Sequence, residues 1–294
     1  MDIRKVFIAG SGLMGSGIGQ VCAQAGLGVT LYDVNQPALE KALKNIAWSV
    51  GKFIEKGQVP GTLGEVMGRV STAIDLGPAA EADLIIEAVF EDLEVKHQLY
   101  RQLCPQVPAT TLIASNTSAI PTTELAAAVE KPERFLGLHF FSPVPMMAAV
   151  EVIRGMVTSE EAFAAGEQFV RAIGKEPIMV KRDVAGFVIN RINFMANVEA
   201  MRLVEAGVAT VEDIDKGLRL ASGRRMGIFE TGDMVGLDIT YGALTAAYND
   251  TKNPAFAPPT ILKRKIRAGQ LGKKTGVGWY EYDAQGNRLG PAKI

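Results

Sequence analysis

Val6-Phe7-Ile8-Ala9-Gly10-Ser11-Gly12-Leu13-Met14-Gly15 opens the chain with a short apolar run followed by a G-x-G-x-x-G turn. The run is short and apolar throughout, which reads as a buried strand, and residues 14–25 behind it carry a helical pattern. In such a turn the first glycine permits the tight bend and the second lets backbone approach a pyrophosphate. The third allows the helix to pack closely on the strand, and the helix N-terminus offers free N–H groups to an anion. A plain strand-to-helix turn carries the same glycines, so the motif alone decides little. Its surroundings add weight: a strand stands before it, a helix after it, and Asp33 closes the next strand, Val29-Thr30-Leu31-Tyr32-Asp33.

Working outward, short apolar runs recur at Leu84-Ile85-Ile86-Glu87-Ala88-Val89, Thr111-Leu112-Ile113-Ala114, Phe135-Leu136-Gly137-Leu138 and Val150-Glu151-Val152-Ile153. Helical stretches separate them, which predicts βαβ units and a parallel sheet covered on both faces. The helical pattern over residues 37–58, with Lys41, Lys44, Lys52 and Lys56, exceeds a minimal crossover and is expected to project from the sheet. Beyond Val184 strand signals cease, and residues 186–207, 211–221, 235–248 and 260–268 read as helices. The fold class is therefore α/β, a Rossmann-type doubly wound sheet followed by an all-helical C-terminal domain. The expected domains are 1–183 and 184–294, with the joint at Arg182-Asp183-Val184-Ala185-Gly186. The polar last dozen residues are expected to fray.

The chain has 294 residues with a formal net charge of −1, a balance that argues against a nucleic-acid or anionic-membrane partner. No apolar run approaches a membrane span, and no secretory leader is read at the N-terminus. Two unpaired-looking cysteines, Cys22 and Cys104, predict a reduced, cytoplasmic protein, and with two histidines they make a metal site improbable.

An acid at Asp33 can accept the ribose hydroxyls of adenosine and repels a 2′-phosphate. No arginine in Val34-Asn35-Gln36-Pro37 would neutralise that phosphate, so the cofactor is read as NAD rather than NADP. His97, in a charged helical stretch, reads as a surface residue. His139 ends a strand, where ligands bind in open α/β sheets. Glu151 is an acid in an otherwise apolar strand, and a buried carboxylate is costly unless paired. If the two strands are neighbours, Glu151 can hold one ring nitrogen of His139 and leave the other to take a proton. Spacing alone leaves a structural His–Glu pair open as the alternative.

Read together, Gly10 to Gly15, Glu87-Ala88-Val89-Phe90-Glu91, Ser115-Asn116-Thr117-Ser118 and His139-Phe140-Phe141-Ser142-Pro143 resemble the 3-hydroxyacyl-CoA dehydrogenases in order and spacing. So do Gly186-Phe187-Val188-Ile189-Asn190-Arg191, Val235-Gly236-Leu237-Asp238 and Gly272-Lys273-Lys274-Thr275-Gly276, giving a resemblance over essentially the whole chain. The resemblance implies that His139 is the base acting on a 3-hydroxyl, that Glu151 orients it, and that Ser118 and Asn190 hydrogen-bond the reacting oxygen or thioester. It implies NAD contacts at Gly10, Ser11, Gly12, Leu13, Met14, Gly15, Glu91, Lys96, Ser118, Ser142 and Lys274. It further implies an acyl-CoA thioester substrate, with Lys52 and Lys56 chosen for its phosphates, and a homodimer formed through the helical domain. The chain departs from the family pattern in lacking proline before Gly186, in carrying Ile228 where proline is usual, and in carrying Ser142 where asparagine is frequent. Two rivals stand beside this reading. One is a 6-phosphogluconate or β-hydroxyacid type dehydrogenase, which depends on a lysine in its helical domain. The other is a non-enzymatic dinucleotide-binding protein.

Overall fold

The computed structural model describes residues 1–293, and the chain divides into two compact units, Met1–Phe187 and Val188–Ile294. The first is built on an eight-stranded sheet: β1 (Lys5–Ala9), β2 (Gly28–Tyr32), β3 (Val70–Ala73), β4 (Leu84–Glu87), β5 (Leu112–Ser115), β6 (Phe135–Phe140), β7 (Ala149–Ile153) and β8 (Glu176–Val180). Its order is β3-β2-β1-β4-β5-β6-β7-β8, so the chain reverses direction across the sheet between β1 and β4. Open α/β sheets bind their ligands at that switch point.

Alternation along each strand sorts the core into two layers. Ile8, Leu31, Ile86, Leu138 and Val152 face one side, under α1 (Leu13–Gln24), α2 (Gln36–Glu55) and α6 (Glu160–Ala172), with α3 (Leu63–Met67) contributing Val66. Phe7, Ala9, Ile85 and Phe135 face the other, under α4 (Leu93–Leu103) and α5 (Thr122–Ala126). Helix α2, over the stretch expected to project from the sheet, packs on α1 and α3 through Leu39, Ala42, Ile46 and Val50, a buried stripe at helical spacing.

The all-parallel expectation fails at β7, which runs antiparallel to β6. A parallel pair needs a crossover of a dozen or more residues, and the 141–148 connection is too short for one. Strands β3 and β8 were not expected: β3 is broken by Ser71 and Thr72, and β8 offers only the short run Ile178-Met179-Val180.

The second unit packs α7 (Ile189–Glu205), α8 (Val211–Ser222), α9 (Ile228–Val235), α10 (Leu237–Thr251) and α11 (Thr260–Arg267). Its core includes Val198, Met201, Phe229, Leu244, Leu262 and Trp279. It is not wholly helical, because β9 (Tyr280–Tyr282) and β10 (Arg288–Pro291) pair as an antiparallel ribbon. Of the last dozen residues, expected to fray, Ala292 and Lys293 are held: Ala292 N donates to the Trp279 carbonyl, and Lys265 Nζ donates to that of Lys293. Two buried acids staple this unit. Asp215 accepts from the backbone N–H groups of Phe229 and Glu230 and from the Tyr280 hydroxyl. Asp233 accepts from the N–H groups of Trp279 and Tyr280 and from the Tyr282 hydroxyl. No helix among the described residues is long and apolar enough to cross a membrane.

Candidate active site

The register of the sheet aligns Ala9 with Glu87, Glu87 with Ser115, and Ser115 with Gly137. That row runs across β1, β4, β5 and β6, and the residues beyond it all emerge at one end of the sheet. They are the turn at Gly10, the Phe90–Glu91 loop, the Asn116–Ser118 loop and His139.

The turn is shaped for close approach. Gly10 has φ +107, and a Cβ there would lie 2.4 Å from the Ala88 carbonyl oxygen. A Cβ at Gly15 would lie 1.8 Å from the Gly10 oxygen, so helix and turn are in contact. Nothing stands within 4 Å of a Cβ at Gly12, which caps α1 with no side chain. Open space over an uncapped helix N-terminus free of acids fits a pyrophosphate. Leu13 is exposed and Met14 half-buried beside it. Asp33, half-buried, lies next to the turn and accepts from Ser11 N and Ser11 Oγ.

Beyond β4 lies a polar network. Glu87 is fully buried; one of its oxygens accepts from Lys96 Nζ at 2.6 Å and from Val89 N, the other from Tyr100 Oη and Ser115 Oγ. Lys96, 1% exposed, also pairs with Glu91 at 3.1 Å. Glu91 in turn accepts from Thr117 Oγ1 and from the N–H groups of Ser118 and Ala119, which fixes the turn carrying Ser118. Burial works to raise the Glu91 carboxyl, but Lys96, Thr117 and Ser118 outweigh it and hold it below its ordinary value. Asn116 Oδ1 accepts from Phe140 N and so ties this loop to the residue beside His139.

His139 and Glu151 stand directly opposite each other in the antiparallel β6–β7 pair. Nδ1 of the ring lies 2.6 Å from Glu151 Oε2, and both residues are buried. The reversal of β7 is what brings them face to face. Phe141 and Phe187 flank the ring, with centroids at 4.7 and 5.6 Å. Phe187 adopts φ +48, a left-handed conformation unusual for a large side chain and a mark of functional sites.

The first unit thus gathers Gly10–Gly15, Asp33, Glu91, Lys96, Ser118, His139 and Glu151 at linked loops. Exposed Ser142 follows β6 on the connection to β7. Lys52 and Lys56 lie on exposed ground at the end of α2, Lys52 paired with Glu55 at 2.8 Å. In the second unit Asn190 lies in the first turn of α7, and Lys274 binds both carboxylate oxygens of Asp238 at 2.7 Å. His97, half-buried, meets the Glu124 carbonyl at 3.1 Å. Glu87, Asn116 and Phe187 carry site geometry without having been assigned a role from sequence. Glu87 had a signal, since it is an acid in an apolar run like Glu151.

Residues 5–184 match the NAD binding domain of 3-hydroxyacyl-CoA dehydrogenase, and residues 186–282 match the C-terminal domain of the same enzymes. The chain belongs to the 3-hydroxyacyl-CoA dehydrogenase family. Within that family it is 38% identical to a probable 3-hydroxybutyryl-CoA dehydrogenase of Bacillus subtilis, over 96% of this chain and 99% of that one. It is equally identical to the 3-hydroxybutyryl-CoA dehydrogenase of Mycobacterium tuberculosis, over 95% of this chain and 99% of that one. The crystal structure of (S)-3-hydroxybutyryl-CoA dehydrogenase from Ralstonia eutropha superposes with a TM-score of 0.92 at 36% identity, covering 96% of this chain and 100% of that chain. A 3-hydroxyacyl-CoA dehydrogenase family member with this turn is an NAD-dependent oxidoreductase, and the lysine-dependent and non-enzymatic rivals are set aside.

Proposed function

We propose that the protein oxidises (S)-3-hydroxyacyl-CoA, with 3-hydroxybutyryl-CoA as its preferred substrate, to the 3-oxoacyl-CoA, and catalyses the reverse reduction of acetoacetyl-CoA. The observation that carries this is the 2.6 Å contact between His139 Nδ1 and Glu151 Oε2 at the end of the sheet that holds the nucleotide turn. The names of the Bacillus, Mycobacterium and Ralstonia relatives support the four-carbon substrate.

When bound, NAD supplies the hydride acceptor. The chain's own task is the proton. With Nδ1–H donated to Glu151, the neutral ring keeps its lone pair on Nε2, which takes the 3-hydroxyl proton as C3 becomes a carbonyl. Glu151 fixes the tautomer and offsets the positive charge that develops on the ring. Ser118 hydrogen-bonds the reacting oxygen or the thioester carbonyl. Lys96 keeps Glu91, and through it the Ser118 turn, in place. Ser142 adds a cofactor contact on the first unit, and Lys52 and Lys56 meet the CoA phosphates. Exposed Ile192 and Met195, three residues apart on α7, support a homodimer through the helical unit.

The deciding experiment is turnover of acetoacetyl-CoA with NADH, followed by loss of NADH absorbance, alongside a 3-keto acid lacking CoA. Consumption with the thioester and far less with the free acid is the expected result. Absence of turnover with any short 3-oxoacyl-CoA would overturn the proposal.

A further inference from the structure

Asp33 receives three hydrogen bonds from the chain itself. Ser11 Oγ donates to Oδ2 at 2.7 Å, Ser11 N donates to the same oxygen at 3.0 Å, and Asn35 N donates to Oδ1 at 3.0 Å. Ser11 is 4% exposed, so its hydroxyl is committed inward to this contact rather than to solvent. The strand end is tied to the same turn, because Gly10 N donates to the Tyr32 carbonyl at 2.8 Å. The phosphate turn and the acid are thus one hydrogen-bonded unit.

We propose that Ser11 is a coenzyme-specificity residue, whose hydroxyl locks the Asp33 carboxylate in the position from which it accepts adenosine ribose hydroxyls and repels a 2′-phosphate. The proposal rests on the reading of Asp33 as the ribose acid. An unrestrained aspartate can rotate away from an incoming phosphate and so lose its discriminating power. Here rotation breaks a hydrogen bond between a hydroxyl and a charged acceptor, a contact roughly twice as strong as a neutral one. The lock also divides the carboxylate's labour. Oδ2 carries both Ser11 donors, while Oδ1 carries only the Asn35 N–H and keeps a lone pair for the ribose.

The test compares kcat/KM for NADH and for NADPH in wild type, Ser11→Ala, Asp33→Ala and the double variant. Ser11→Ala should lower the NADH-to-NADPH ratio by about tenfold or somewhat less, the order of one charge-assisted hydrogen bond with its backbone partner still in place. The ratio in the double variant should match that of Asp33→Ala, because Ser11 acts through the acid. A Ser11→Ala ratio within about twofold of wild type, beside a lowered ratio in Asp33→Ala, would overturn the Ser11 proposal alone. So would an equal loss on both coenzymes, or a further fall in the double variant. An unchanged ratio in Asp33→Ala would overturn the ribose reading and the proposal with it.

Discussion

Both units of this protein bury carboxylates, and they use them in opposite ways. In the helical unit Asp215 and Asp233 are surrounded by backbone N–H groups and tyrosine hydroxyls, donors that hold their protons throughout the working pH range. In the sheet unit Glu151 faces the imidazole of His139, whose other ring nitrogen is the proposed proton acceptor. Burial alone therefore does not mark a functional acid. On the proposed mechanism, what separates a staple from the His139–Glu151 pair is that the imidazole takes up the substrate's proton while the staple donors keep theirs.

The sharpest way to break this comparison is to remove the imidazole. His139→Gln should lower kcat by about 10²–10⁴-fold, the usual worth of a positioned acid–base group, while NADH affinity measured by fluorescence stays close to wild type. Near-normal turnover in this variant would make the His139–Glu151 pair a structural one like those of the helical unit. Glu151→Gln should cost less than His139→Gln, and the double variant should be little worse than His139→Gln alone, since the two act as a unit. Fully multiplicative losses would show that Glu151 works independently.

The staples should respond in the other coordinate. Asp215→Asn should destabilise the protein by about 2–4 kcal/mol, because it exchanges an acceptor of three hydrogen bonds for an amide that brings a donor of its own. Thermal unfolding should show the loss, and kcat measured well below the transition should change by less than about twofold. A selective kcat loss without a fall in Tm would assign Asp215 to the chemistry.

The smallest effect concerns pH, and its sign differs between the two units. Glu91 in the sheet unit is held below its ordinary value because Lys96, Thr117 and Ser118 overcome the effect of burial. Its ionised form is favoured by the fold, so the stability it adds is present above the unfolded-state value and is lost as pH falls through the folded one. Asp233 is shifted upward by burial, which outweighs its hydrogen bonds. Its protonated form is favoured, so its contribution declines as pH rises from the unfolded value through the folded one. Between about pH 6 and about pH 3, the stability gap between wild type and Glu91→Gln should narrow on acidification. The gap to Asp233→Asn should widen in favour of wild type. Denaturant unfolding at a series of pH values checks both, and slopes of the same sign would contradict the assignment.

Much of the sheet unit was legible in the sequence because its working residues break local patterns. Gly10, Gly12 and Gly15 interrupt a strand–helix junction, and Glu151 interrupts an apolar strand. Glu87 breaks its strand in the same way, and its burial follows from the same reasoning. The reversal of β7 was hidden behind the apolar character of the strands, although the short 141–148 connection rules out a crossover. Strand β3 lacked a signal because it lies at the sheet edge, where Ser71 and Thr72 are exposed. Asp215 and Asp233 were illegible for a different reason. They lie in amphipathic helical stretches where acids normally face water, and only the docking of Tyr280 and Trp279 buries them.

The chemistry of the proposed substrate gives the burial of Lys96 another meaning. Thioesters are acylating agents, and a free amine near a bound thioester is a target for it. The Lys96 ammonium is engaged by Glu87 and Glu91 and is almost wholly screened from solvent. With 1% of its surface exposed, it presents almost nothing to an electrophile. On the proposed substrate, the side chain beneath the Ser118 loop would be sheltered from slow acylation, whereas the exposed lysines of α2 have no such shelter.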